Sequence, residues 1–284
     1  MAAVLNILGA LTTGTAVATT IGEGIVKQEF ISLPVVAAAM LTILVWSGVT
    51  WYYAIPTSKS HELIAGLTGA SLAAAGQSVL LWEGWKKVLI GLGFSTILGF
   101  CFGMIIMGLL YWALQRTRLS TIRNAFSRLQ IVSAAFMAFS HGSNDGQKFM
   151  GVFSLALVLG GSIAKFEVTW PVMLVCGTVM GVGTIIGGWR IIRTLGFKLT
   201  RLEPVNGFAA ETSGSIAILL ASRFGIPLST THCITTAIMG VGASRRFSAV
   251  RWGMAGNIIF TWIITFPICG VLGYLFSLLL NRIF

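Results

Sequence analysis

Acidic residues are scarce in this chain of 284 residues, which has 8 Asp+Glu against 19 Lys+Arg. Charged residues make up only 10% of the chain, whereas soluble domains carry roughly 25%, so an ordinary soluble domain is excluded. A disordered chain is excluded as well, because 56% of the residues are apolar and the mean hydropathy is +0.89. A single Asp (Asp145) and three His are present. Since ionisable groups are costly inside a membrane, these few are the first candidates for a functional site.

Long apolar runs occupy most of the chain. About 20 apolar residues cross a bilayer core, so the sequence holds enough of them for about eight spans. The net charge of +11 comes from basic residues in short gaps between these runs. That pattern is typical of cytoplasmic loops rather than of a nucleic-acid surface. We therefore predict an all-α polytopic protein of the cell membrane, with the lipid bilayer and not nucleic acid as its surroundings.

Three basic gaps predict the topology. They cover residues 116–128, 190–201 and 245–251, and the positive-inside rule places all three in the cytoplasm. Between the second and third gaps lie two apolar segments, 207–222 and 227–243, of about 16 residues each. A helix of that length covers roughly 24 Å, which is less than a full bilayer core. The sequence therefore predicts a re-entrant helical hairpin here.

An internal repeat links the two halves of the chain. Ile55–His61 reads IPTSKSH and Ile226–His232 reads IPLSTTH, at an offset of 171 residues. In the predicted topology the two copies have opposite orientations, and inverted repeats with broken helices are typical of secondary transporters. We expect a first repeat over 1–114, a basic cytoplasmic linker over 115–128 and a second repeat over 129–284.

The repeated segment has a structural and a functional interpretation. Ser or Thr near a Pro at a helix start is a common cap, and one copy alone is weak evidence of function. Two copies, each with one of the three histidines, favour a functional role. The free N–H groups at the starts of broken helices carry partial positive charge, and hydroxyl groups add donors, so an oxyanion is the expected substrate. An enzyme is not expected, because the sequence shows no nucleophile–base–orienter set.

The third histidine lies in a polar run, Ser140–Gln147, which reads SHGSNDGQ. The run separates two apolar stretches, 129–139 and 149–160. Unwound backbone at membrane depth is tolerated only where it lines a cavity or is buried in protein. We therefore expect a broken, functional helix here; a surface loop is the alternative.

Together these motifs resemble the inorganic phosphate transporter (PiT) family of cation-coupled symporters. The pattern H-G-[SAG]-N-D-x-x-[KN], followed by P-x-S-T-T-H, is specific to that family, and the match covers nearly the whole chain. The resemblance implies substrate-binding roles for Asn144, Ser58, Ser60, Ser229, Thr230 and Thr231. It also implies cation coupling and Na⁺ binding at Asp145 and Glu211, and supporting roles for His61, His141 and His232.

The resemblance implies Na⁺- or H⁺-coupled symport of inorganic phosphate by a homodimer, with no cofactor beyond the coupling ion. A carboxylate repels an anion unless it binds a cation or takes a proton, which suits Asp145 and Glu211 to coupling. The family carries an N-D-x-A-N motif in each half, and here the offset of 171 places the first copy before Met1. An inactive or fragmentary transporter is therefore one alternative. A sulfate permease on the same scaffold and an anion channel are the others.

Overall fold

Helices make up most of this computed structural model, which describes residues 1–200 and 202–283. The α-helices are α1 Ala2–Thr12, α2 Ala16–Gly24, α3 Leu33–Tyr52, α4 Lys59–Ala75, α5 Trp82–Leu114, α6 Leu119–His141, α7 Gln147–Leu159, α8 Trp170–Ile186, α9 Trp189–Arg193, α10 Pro204–Arg223, α11 Thr230–Arg245 and α12 Trp252–Ile283. Short 3₁₀ helices cover Gln28–Phe30, Gly76–Val79 and Phe247–Ala249, and π-helical turns cover Gly142–Gly146 and Thr194–Leu199. This architecture confirms the all-α class. Arg201, in the second predicted basic gap, lies outside the described residues.

Three of the described helices are long and apolar enough to cross a membrane by themselves. They are α3, α5 and α12, with 20, 33 and 32 residues. A fourth candidate is the pair α1 and α2, which bends by 70° at a short break. These helices confirm the prediction of a multi-pass membrane protein, because apolar helices of spanning length lie in both halves of the chain.

Corresponding helices recur at the repeat offset. Both ends of α3 lie 171 residues before those of α10, and α4 begins 171 residues before α11. In each half a long apolar helix follows, α5 in the first and α12 in the second. This succession is what a two-repeat chain predicts, while the division at residues 115–128 stays a prediction.

The second helix of each hairpin packs against the long apolar helix of the other half. Helix α4 of the first half packs along α12 of the second, and α11 of the second half packs along α5 of the first. Close approach depends on glycine: a Cβ at Gly69 would overlap the backbone of Gly270, and one at Gly240 would overlap the backbone of Phe100. Gly69 and Gly240 are themselves 171 residues apart. The hairpins are therefore held in the fold by backbone-to-backbone contact.

Each repeated segment forms the tip of a helical hairpin. The chain turns over residues 53–58 between α3 and α4, and over 224–229 between α10 and α11. Ser58 and Ser229 are the N-caps of the second helices, accepting from the backbone N–H groups of His61 (3.3 Å) and His232 (3.2 Å). With 17 and 16 residues, these helices are about 24–26 Å long, but their partners α3 and α10 have 20 residues each, about 30 Å. The re-entrant hairpin, predicted from two equally short segments, therefore stays a prediction.

The polar run at 140–147 differs from the expected broken helix. Residues Gly142–Gly146 form a π-helical turn that joins α6 to α7, so the backbone stays helical there. The two glycines explain why an intact helix fits: a Cβ at Gly142 would overlap the backbone of Asn6, and one at Gly146 would lie 2.9 Å from the side chain of Ala10. Single π turns within α-helices are frequent at functional sites.

The predicted basic linker, residues 115–128, is mostly helical in the structure. Helix α6 begins at Leu119, so only residues 115–118 separate it from α5. Residues 119–128 form the first turns of α6, and their side chains are mostly exposed. The run of basic residues therefore lies largely on a helix surface.

Candidate functional site

A buried ion pair lies at the centre of the candidate site. The Lys148 ammonium lies 2.6 Å from Oδ1 of Asp145, one helical turn away along the same continuous helical run. The Lys148 side chain is 1% exposed and that of Asp145 is 10% exposed. Charges buried this deeply are stable only when they are paired and hydrogen-bonded. The pair therefore depends on the polar groups that surround it.

Both hairpin tips supply those groups. Lys148 donates to Oγ of Ser60 (2.6 Å) and to the carbonyl oxygen of Leu228, and Ser60 donates to the same carbonyl (3.0 Å). Thr230 donates to Oδ2 of Asp145 at 2.9 Å. We call Asp145, Lys148, Ser60 and Thr230 the central cluster. The central cluster connects the helical segment that carries Asp145 and Lys148 to the first residues of α4 and α11.

The starts of α4 and α11 both face the central cluster. Ser60 lies two residues after the N-cap Ser58, and Thr230 directly follows the N-cap Ser229, so both are in the first turns of these helices. The first N–H groups of a helix have no intrahelical acceptor and carry partial positive charge. Thr231 is half-buried in the same turn. An anion is the ligand that such an arrangement favours.

His141 and Asn144 flank the cluster on the same helical run. His141 Nε2 lies 3.1 Å from Oδ2 of Asp145, and Nδ1 lies 3.0 Å from Oδ1 of Asn6, so both ring nitrogens are held. Asn144 donates to Oγ of Ser222 at 2.7 Å. Its Oδ1 is buried and has no hydrogen-bond partner within the described part of the chain. That oxygen is available to a ligand that donates a hydrogen bond or to a cation.

The paired histidines connect the two hairpins rather than joining the cluster. The rings of His61 and His232 lie 4.4 Å apart between centroids, and His232 stacks on Trp262 at 3.7 Å. His61 Nδ1 lies 3.3 Å from the Trp262 carbonyl oxygen. A cavity of about 390 Å³, lined mainly by apolar side chains of α5 and α12, adjoins these rings. Both histidines therefore lie outside the central cluster, and their supporting role stays a prediction.

Glu211 lies apart from Asp145. Its carboxylate accepts a hydrogen bond from Ser133 on α6. Ser133 precedes Asp145 by twelve residues on one helical run, a distance of roughly 18 Å along the axis. The two carboxylates therefore lie at two separate positions, and one cation does not contact both.

Sequence reasoning assigned no role to Lys148, Glu62 or Asn6. Lys148 occupies the last position of the quoted motif and is the sole charge besides Asp145 between Arg128 and Lys165, which is a usable signal. Asn6 gives no such signal, since its partners His141 and Thr184 lie on other helices. Glu62 pairs with Lys59 on its own helix and also accepts from Ser47 on α3.

The chain is similar to known proteins over most of its length. A family model described as the phosphate transporter family matches residues 1–273. A probable low-affinity inorganic phosphate transporter of Rhizobium meliloti is 42% identical over 275 residues, covering 96% of this chain and 82% of that protein. A protein of the same description from Bacillus subtilis is 41% identical over 288 residues, covering 100% of this chain and 86% of its own length.

A solved structure shares the fold. It is described as the sodium-dependent phosphate transporter and aligns with a TM-score of 0.89, covering 100% of this chain and 89% of its own. The aligned sequences are 22% identical, so this likeness establishes the architecture alone.

Proposed function

Because this chain belongs to the phosphate transporter family, we propose that it carries inorganic phosphate across the cell membrane by symport with Na⁺ or H⁺. The observation that carries the proposal is the central cluster, in which a buried lysine and two hydroxyl groups meet beside two helix starts. We infer that Asn144, Ser58, Ser60, Ser229, Thr230 and Thr231 form or support the phosphate site.

Phosphate is heavily hydrated, so a binding site must replace its water shell with donors. Lys148 offers an ammonium, which is a compact charge with three donors. Ser60 and Thr230 offer hydroxyls, and the first turns of α4 and α11 offer backbone N–H groups. In the structure the ammonium of Lys148 and the hydroxyls of Ser60 and Thr230 are directed to Asp145 and to the Leu228 carbonyl. Phosphate binding exchanges those internal acceptors for the oxygens of the anion.

That exchange gives a physical reason for coupling. When phosphate takes the ammonium of Lys148, the carboxylate of Asp145 loses its nearest positive charge. A buried, unpaired carboxylate is costly, so a Na⁺ or a proton must arrive with the anion. Asp145 is therefore the coupling residue next to the substrate, and Asn144 Oδ1 is a further ligand for a cation there.

Glu211 provides a second coupling position. It is half-buried and accepts a hydrogen bond from the hydroxyl of Ser133. Carboxylate and hydroxyl oxygens are hard ligands that suit Na⁺. The sodium dependence named for the solved relative favours Na⁺ over H⁺ as the ion.

Uptake into proteoliposomes tests the proposal. Radiolabelled phosphate is supplied to vesicles that carry an imposed Na⁺ gradient, an imposed H⁺ gradient or neither. We expect accumulation above equilibrium with one gradient, and none when both are collapsed. Lys86→Met serves as a control, because Lys86 forms an exposed pair with Glu83 at 2.7 Å, and it must retain full uptake.

The alternatives predict other outcomes in the same vesicles. A sulfate permease accumulates sulfate, and unlabelled sulfate then blocks phosphate uptake at equal concentration. An anion channel equilibrates phosphate without either gradient. An inactive protein gives no flux under any condition, and each of these results contradicts the proposed symport.

The expected homodimer stays a proposal of its own. Family resemblance is its support, and phosphate uptake by one chain does not require it. Cross-linking in native membranes, followed by mass measurement of the purified protein, tests it; a monomer under both conditions contradicts it.

A further inference from the structure

A second buried carboxylate lies at the first hairpin tip, outside the central cluster. Glu62, in the first turn of α4, is 0% exposed. Its Oε1 accepts from Thr57 Oγ1 at 2.8 Å, and its Oε2 accepts from the hydroxyl of Ser47 on α3. Neither the substrate site nor the coupling positions proposed above include this residue.

The ammonium of Lys59 sits among these oxygens. Its Nζ lies 2.6 Å from Ser47 Oγ, and 2.9 Å and 3.2 Å from the two carboxylate oxygens of Glu62. Thr50 extends the polar set, with its Oγ1 3.2 Å from that of Thr57. The Lys59 side chain is 39% exposed, whereas that of Glu62 is 0% exposed. We call Glu62, Ser47, Thr57 and Thr50 the Glu62 cage.

The second hairpin has the same fold without a cage. At the offset of 171, the counterparts of Ser47, Thr50, Thr57, Lys59 and Glu62 are Ile218, Ala221, Leu228, Thr230 and Cys233. Four of these five form a buried apolar cluster. An apolar tip therefore suffices to fold this hairpin. The first tip buries polar oxygens and a charge pair, which costs free energy. Folding of the hairpin does not require them, so their presence points to another role.

We propose that the Glu62 cage is a monovalent-cation site in which the ammonium of Lys59 takes the place of a free ion. One carboxylate and hydroxyl oxygens are the hard ligands that a Na⁺ site uses. A lysine ammonium supplies the same single positive charge from within the chain. The first half thus holds a tethered cation and takes up no Na⁺ at this place. This inference goes beyond the proposed function and stands whichever ion drives uptake.

Removing the tethered charge tests the proposal directly. Lys59→Met leaves Glu62 buried without a counter-charge, so the cage must recruit a cation from solution. Radioactive Na⁺ bound per chain is measured on purified protein in detergent, with choline replacing Na⁺ at constant ionic strength. We expect Lys59→Met to bind one Na⁺ per chain more than the wild type, and Na⁺ to raise its thermal unfolding midpoint.

Two variants control for the site. The double variant Lys59→Met/Glu62→Gln loses both charges and must lose the additional Na⁺. Lys86→Met removes a lysine from an exposed pair with the same i,i+3 spacing, and must bind as many Na⁺ as the wild type. Equal Na⁺ binding by the wild type and Lys59→Met overturns the proposal, and so does additional binding that persists without Glu62.

The proposal can also be tested if Lys59→Met fails to fold in the absence of Na⁺. The proposal expects Na⁺ during purification to recover folded protein where choline does not, and recovery in neither medium overturns it. Because these readouts measure Na⁺ binding and folding, they are independent of phosphate uptake. A transport-inactive protein with the expected Na⁺ binding would contradict the proposed function and leave the cage intact.

Discussion

Replacing Asp145 by Asn removes the counter-charge of a lysine that is 1% exposed. Two unit charges 2.6 Å apart attract by about 6 kcal/mol at an effective dielectric constant of about 20. Part of this offsets desolvation, and removing one partner of a buried pair costs about 3–5 kcal/mol. We expect that loss of unfolding free energy from Asp145→Asn and again from Lys148→Met. The double variant has no unpaired charge, so we expect it to lose only about 0–2 kcal/mol.

A double-mutant cycle measures the coupling between these two residues. Unfolding free energies are determined in detergent for the wild type, both single variants and the double variant, alongside phosphate uptake in vesicles. We expect the double variant to be folded, more stable than either single variant, and inactive in uptake. Additive losses would refute the buried pair. A folded double variant with wild-type uptake would refute the transport role of both residues.

Three further changes test other parts of the account. Gly240→Ala places a methyl group on the backbone of Phe100, so we expect about 1–3 kcal/mol of lost stability by thermal unfolding, and unchanged stability contradicts the close packing. Ser229→Ala removes an N-cap and is expected to cost about 1 kcal/mol, with weaker phosphate uptake; full uptake contradicts a role for this helix start. Glu211→Gln keeps the hydrogen bond from Ser133, so we expect a nearly unchanged unfolding midpoint but an altered Na⁺ dependence of uptake, and an identical Na⁺ dependence contradicts its coupling role.

The hairpin tips are predictable from sequence because their signals are local. A Pro followed by a Ser cap fixes where a helix starts, and Ser58 and Ser229 are both N-caps in the structure. The repetition at a fixed offset then pairs the two tips before any contact is known. For the same reason, the membrane class follows from apolar runs alone.

The polar helix run shows where local signals fail. Two glycines and six polar residues within the eight positions 140–147 favour unwound backbone, yet residues 142–146 stay helical. The glycines serve packing against α1, and this depends on a contact between distant segments. Sequence alone does not distinguish a glycine that breaks a helix from one that admits a neighbour.

Charge partners are the least predictable part of the site. Asp145 and Glu211 look equivalent in sequence, but one pairs with Lys148 and the other accepts from Ser133. Glu62 has the pattern of an ordinary solvated residue in a first helical turn, yet it is buried in the structure and accepts from Ser47 on the neighbouring helix α3. Such partners are set by tertiary contacts, which no spacing rule describes.

A structure determined in saturating phosphate tests the central claim most directly. We expect one phosphate within hydrogen-bond distance of Lys148 Nζ, Ser60 Oγ and Thr230 Oγ1, with the contact between Lys148 and Asp145 lengthened beyond its present 2.6 Å. A phosphate bound elsewhere, with the 2.6 Å pair intact, would contradict it.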